Sequence, residues 1–129
     1  MLITIEVIRP ENQRYKTAGD WQWDRRDSKF GDSLYITVGR LGDERYEFLV
    51  ALHELIEAYL CKENSITQEQ VDEFDKHNPE LDEPGESPMA PYYKEHMRAS
   101  IIERIMAQFL DVDWLKYEDA LDSLHRGGV

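Results

Sequence analysis

His53, Glu54 and Glu57 are residues of the kinds that ligate metals or move protons, and they lie within one five-residue stretch. On a helix, His53 and Glu57 stack on one face, one turn apart. On a wheel centred on His53, Leu49, Ile56, Leu60, Tyr46 and Val50 fall within roughly 60° on either side. Leu52, Tyr59, Phe48 and Leu55 widen the apolar arc, and only the sector of Glu47, Ala51, Ala58 and Lys62 suits solvent. Glu57 therefore projects from a stripe expected to be buried, with Glu54 at its margin. A buried carboxylate is costly unless it is protonated, paired or bound to a cation. A second stretch repeats the pattern, since His96 shares a helix face with Tyr92, Ala99, Ser100, Glu103 and Ala107. Its small residues let that face approach another helix closely, while Ile102, Met106 and Phe109 are left to serve the core. Two helices thus each offer a His and a Glu to one interior. Either these groups bind a metal, or they form a buried network in which His and Glu pair across the helices.

The string His53-Glu54-Leu55-Ile56-Glu57 resembles the H-E-x-x-H helix of the zincin metallopeptidases, with Glu where the second His would stand. That resemblance implies that His53 and Glu57 are ligands and that Glu54 is the general base that activates water. Zinc in a hydrolytic site takes three protein ligands and keeps one position open. His96 would restore the His₂Glu set of the thermolysin-like branch. Glu103 would be a fourth ligand or an acceptor for a His ring N–H. Asp75 is a further candidate ligand, because Val71 and Phe74 mark a buried side near it. A Glu ligand is hard and anionic, which lowers Lewis acidity and admits Mn²⁺ or Fe²⁺ as alternatives to Zn²⁺. Tyr92 or Tyr93 could donate to an oxyanion. Among the other candidates, His77 suits a helix C-terminus and His125 lies near the chain end. Cys61 reads as a small buried hydrophobe, and Trp21, Trp23 and Trp114 read as core.

The elements that must position these residues divide the chain in two. Leu2 to Arg9 alternates as a strand, Trp21 and Trp23 mark a second within Tyr15–Asp24, and Leu34, Ile36 and Val38 mark a third. A charged loop is expected over Asp27–Asp32. Gly39-Arg40-Leu41-Gly42-Asp43 marks the change from period 2 to period 3.6. Helices are predicted over 43–62 with Asp43 as N-cap, over 67–76 from a Thr67/Gln70 capping box, over 91–110 with Pro91 in the first turn, and over 114–124 behind Asp113. The 77–90 segment is a long loop, and Arg126-Gly127-Gly128 frays. The expectation is one domain over 1–129, β-rich to 42 and helical over 43–125. Its class is α+β: a small antiparallel sheet of about three strands, then three to four helices, in a minimal zincin-like layout. In that layout the strand before the active-site helix lies at an edge and holds an extended substrate.

Composition narrows the partners. The chain has 129 residues with 15 Lys+Arg against 27 Asp+Glu, a formal net charge of −12. That disfavours nucleic acid, whose binders displace phosphate counterions with a basic patch, and disfavours an anionic membrane surface. An aromatic content of 11% argues for a core rather than disorder. The longest apolar run, Phe48 to Leu52, is far too short for a membrane span. No signal peptide is visible and one cysteine cannot form an internal disulfide, so a cytoplasmic protein is expected.

HELIEAYLC at 53–61, VDEFD at 71–75, APYYKEH at 90–96, Glu103 and DWLKYEDAL at 113–121 also resemble short uncharacterised phage and prophage proteins. Three classes follow. The first is a metal-dependent, peptidase-like hydrolase acting on a peptide or protein. The second is a non-catalytic, metal-stabilised accessory or interaction protein. The third is an all-α, Mg²⁺-dependent nucleotide pyrophosphohydrolase, whose E-x-x-E and E-x-x-D strings Glu54/Glu57 and Asp72/Asp75 loosely imitate.

Overall fold

A computed structural model describes residues 1–24 and 32–125. The loop expected over Asp27–Asp32 lies almost wholly outside these residues, as do Arg126–Gly128. The element order is β1 (Leu2–Ile8), β2 (Gly19–Asp24), β3 (Ser33–Gly39), α1 (Glu44–Glu63), α2 (Gln68–His77), α3 (Tyr93–Phe109) and α4 (Trp114–His125). Short 3-10 turns occupy Pro10–Asn12 and Pro84–Glu86. The fold is α+β, a three-stranded sheet followed by four helices. Among the described residues, no helix is long and apolar enough to cross a membrane.

The sheet is mixed, which corrects the expectation of an antiparallel one. Its order is β1-β3-β2, with β3 antiparallel to β2 but parallel to β1. The cause lies in the connection after β1. Instead of doubling back as a hairpin, residues 10–18 cross the end of β3 and are tied down there. The Gly39 N–H donates to Ala18 O at 2.7 Å, and the Thr37 hydroxyl donates to Gln13 Oε1 at 2.6 Å. The strand before α1 is therefore central and has no free edge to offer a substrate, unlike the layout expected from the zincin resemblance. The edge on the site's side is β2. Its outer backbone is met by Gln68 of α2, which donates to Trp21 O (3.2 Å) and accepts from the Trp23 N–H (3.0 Å).

Leu34, Ile36 and Val38 form the buried face of β3, and α1 packs across β2 and β3. The helix begins where Asp43 accepts from the Arg45 N–H (2.9 Å), after a turn at Gly42, whose φ of +80° suits glycine. Its rotation differs from the expected one. Ala51 and Ala58, placed in the solvent sector by hydrophobicity alone, are buried, whereas Phe48 and Tyr59 are exposed. Small side chains let the helix approach the sheet closely, so the contact face is set by size as much as by polarity. The same holds in α3. Ala99 and Ala107 are buried toward α1, while Ile102 and Phe109, expected to serve the core, are exposed. The Thr67/Gln70 capping box starts α2. Tyr92 is the N-cap of α3, so Pro91 precedes that helix rather than lying in its first turn.

Candidate metal centre

The rotation of α1 points His53 and Glu57 at α3, and α3 returns His96 from the other side. His53 Nε2 lies 3.0 Å from Glu57 Oε2 and 3.1 Å from His96 Nδ1, and His96 Nδ1 lies 2.9 Å from Glu57 Oε2. All three residues are buried. Among the described residues, they form the group whose ligand atoms converge closely enough to hold a metal ion. A cation about 2.1 Å from each atom fits over this triangle, and tetrahedral zinc would need each edge to open by only about 0.4 Å. As it stands, the triangle subtends roughly 90° at such a cation, matching one face of an octahedron.

Two further side chains hold the triangle in place. The Trp21 indole N–H donates to Glu57 Oε1 at 3.0 Å, leaving Oε2 turned toward the two histidines. The His53 Nδ1–H donates to Glu103 Oε1 at 2.7 Å, and the Tyr117 hydroxyl donates to Glu103 Oε2 at 2.5 Å. Glu103 therefore stands behind His53, with both oxygens engaged. It is not a fourth ligand in this arrangement; it fixes the ring so that Nε2 faces the shared point. Burial works against charge on His53, but the hydrogen bonds to Glu103 and Glu57 outweigh it and hold the imidazolium well above its usual range. Burial would raise Glu57, yet its hydrogen bonds to His53 and His96 hold it down at about 2. An anion flanked by imidazoles is the charge pattern that a divalent cation would take over.

Glu54 lies beside the triad and has no hydrogen-bond or ion-pair partner among the described residues. Burial, reinforced by the neighbouring Glu57 charge, pushes its carboxyl well above the ordinary range. A β-carbon at Gly19 would fall 2.5 Å from Glu54 Oε1, so β2 closes tightly over it. Opposite, the Pro84–Glu86 turn covers His96, and a β-carbon at Gly85 would fall 2.5 Å from His96 Nδ1. Together these elements bound a cavity of about 1060 Å³ lined by the triad, Glu54, Asp20, Asp72, Asp75 and Glu83.

Asp75 reaches this cavity but does not join the converging ligands. Its Oδ1 accepts from the Tyr92 hydroxyl at 2.7 Å, which also commits that hydroxyl and removes it as an oxyanion donor. Burial raises Asp75 to about 6 and Glu83 to about 7. Asp72 faces Arg14 at 3.4 Å and accepts from Gln68 at 3.3 Å. Glu54, Glu57, Asp72 and Asp75 do line one cavity, but the N-terminal sheet departs from an all-α nucleotide pyrophosphohydrolase. His77 donates to Glu73 O on its own helix (2.8 Å), away from the site.

Sequence reasoning missed Trp21, Tyr117, Gly19, Gly85 and Glu83. Trp21 and Tyr117 sit at apolar-periodic positions, so their burial was visible while their polar tips were not. The only local signal for Gly85 was its place after Pro84 in a long loop. No protein family, curated protein or solved structure was found to match the chain.

Proposed function

We propose that this protein is a metal-dependent hydrolase of the peptidase type, with His53, Glu57 and His96 as ligands and Glu54 as general base. The observation that carries the reading is a half-buried Glu54, with no hydrogen-bond or ion-pair partner among the described residues, beside three convergent ligand atoms. Zn²⁺ is the first choice for a His₂Glu set, with Mn²⁺ and Fe²⁺ as alternatives suited to its near-octahedral angles. The cation would supply the positive charge that acidifies a water at its open side. Glu54 would take that proton and return it to the leaving amine. Trp21 and Glu103 hold the ligands so that little reorganisation is needed.

The test is elemental analysis of protein purified without chelator, beside His53→Ala and His96→Ala, followed by peptide hydrolysis with Glu54→Gln. We expect near-stoichiometric metal in the wild type, its loss in both His variants, and a Glu54→Gln protein that keeps metal but loses turnover by at least about 100-fold. A wild type that carries no transition metal, and whose melting temperature Zn²⁺ does not raise, would falsify the reading.

A second reading has its own support. The hydrogen bonds linking Tyr117, Glu103, His53 and Glu57 to Trp21 already tie α4, α3 and α1 to β2, which suits a metal-stabilised protein with no catalytic role. Under that reading metal raises stability, but Glu54→Gln changes nothing measurable in hydrolysis.

A further inference from the structure

The sheet has two edges, and only one is capped. Gln68 occupies the outer backbone of β2, whereas β1 has no strand or side chain paired along its outer edge among the described residues. Leu2–Ile8 contains no proline, lysine or bulge to discourage pairing, which are the usual protections of an edge strand. Its register with β3 places Ile3, Ile5 and Val7 on the same face as Leu34, Ile36 and Val38. Those β3 residues are buried, while Ile3, Ile5 and Val7 are 42%, 48% and 39% exposed, because α1 packs over β2 and β3. The flank of α1 turned away from the cavity is apolar as well, with Phe48 47% and Tyr59 43% exposed. It continues onto α3, where Ile101 and Ile102 line a crevice with Ile56 and Tyr59.

A contact along this edge would cover Ile3, Ile5 and Val7 of β1 together with Phe48 and Tyr59 of α1, five apolar side chains each 39–48% exposed. Exposed apolar side chains grouped beside an unpaired strand edge mark an interaction surface.

We infer that a second copy of this chain covers this face, its β1 pairing antiparallel with β1 across a two-fold axis near Ile5 to form a six-stranded sheet. The charges fit a self-complementary contact. Glu6 is the only charged residue of β1, and it accepts from the Tyr35 hydroxyl at 2.6 Å. A two-fold at Ile5 sets Glu6 opposite Thr4, Ile3 opposite Val7 and Ile5 opposite itself, so no like charges meet. The α1 flanks of the two copies then face each other over the joined strands, with Phe48 and Tyr59 filling the space above Ile3, Ile5 and Val7. The metal centre lies on the opposite side of α1, so each copy keeps its own cavity open.

Sedimentation equilibrium of the full chain over a wide concentration range tests this. The wild type should sediment at twice the 15.2 kDa chain mass. Ile5→Lys and, separately, Phe48→Glu should sediment at the single-chain mass with unchanged circular dichroism. Ile5→Cys should form an intermolecular disulfide under mild oxidation, with Cys61 buried and unreactive. If Ile5→Lys fails to fold, the Ile5→Cys crosslink and Phe48→Glu decide. A wild type that stays at one chain mass overturns the inference. So does a dimer that survives both charge substitutions, or an Ile5→Cys protein that stays uncrosslinked.

Discussion

At the scale of single residues, the triad is held in place by groups outside it. Trp21→Phe keeps the aromatic volume but removes the N–H that fixes Glu57 Oε1. We expect metal affinity, read by competition with a chromophoric chelator, to fall about 10–100-fold while the fold persists. Tyr117→Phe should act in the same direction through Glu103. Unchanged affinity in both would mean that the ligands hold themselves. The charges also set a pH dependence for the metal-free protein. His53 is raised in the fold, so its contribution is full below pH 6.5 and is lost as pH climbs through the folded value. Asp75 and Glu83, raised to about 6 and about 7, have the same sign, because the fold favours their protonated forms. Glu57, lowered to about 2, contributes above its ordinary value of 4.5 and loses that contribution as pH falls toward 2. Melting temperature in chelator should therefore peak in mild acid and decline toward pH 8, and added Zn²⁺ should flatten the alkaline limb. A chelated protein that becomes steadily more stable from pH 5 to 8 would contradict these assignments. Glu57 and Glu103 were legible in the sequence because each shares a helix face expected to be interior with His53 or His96. The tryptophan and tyrosine that orient them were not, because their hydrogen bonds span separations that periodicity does not encode.

At the scale of elements, two glycines mark where backbone presses on the site. Gly85→Ala would drive a methyl group into His96, and the Pro84–Glu86 turn or the ring must move. We expect metal content to drop sharply with little change in far-UV circular dichroism. Gly19→Ala presses instead on Glu54 and on Val50, whose Cγ1 would be 2.7 Å away. It should lower turnover while metal stays bound. If the two variants lose metal equally, the division of labour between β2 and the Pro84–Glu86 turn is wrong. Helix limits were largely legible because Asp43, the Thr67/Gln70 pair and Asp113 carry local capping chemistry. Sheet order was not. Alternation in Leu2–Arg9 announces a strand but does not say which neighbour it takes, and the crossing of residues 10–18 rests on Gln13, Thr37 and Gly39 meeting over the end of β3. The rotation of α1 was misread for a related reason: alanines look indifferent in sequence, yet they mark the face where helix and sheet come closest.

At the scale of the whole molecule, the surplus of twelve negative charges is unevenly placed with respect to function. The cavity carries Asp20, Glu54, Asp72, Asp75, Glu83 and Glu86, and Arg104 is the only Lys or Arg among its described lining residues. Arg14 shows what such a surface holds, since its guanidinium donates to Asp20 at 2.7 Å and reaches Asp72 at 3.4 Å. A bound divalent cation would offset part of this field at the triad but leave the carboxylates of α2 and β2 facing the cavity. Low-dielectric walls lined by one sign of charge concentrate ligands of the other. Peptides with Lys or Arg near the reacting bond should therefore bind and turn over better than matched peptides with Asp or Glu. Their advantage should shrink as added salt screens the cavity. The measurement is binding of fluorescent basic and acidic peptides of equal length to the Glu54→Gln protein at low and high salt, so that binding is read without turnover. Asp72→Asn should weaken the basic peptide more than the acidic one. Equal affinity for both peptides, or a preference unmoved by salt, would show that the acidic lining serves the metal and the fold and does not select the substrate.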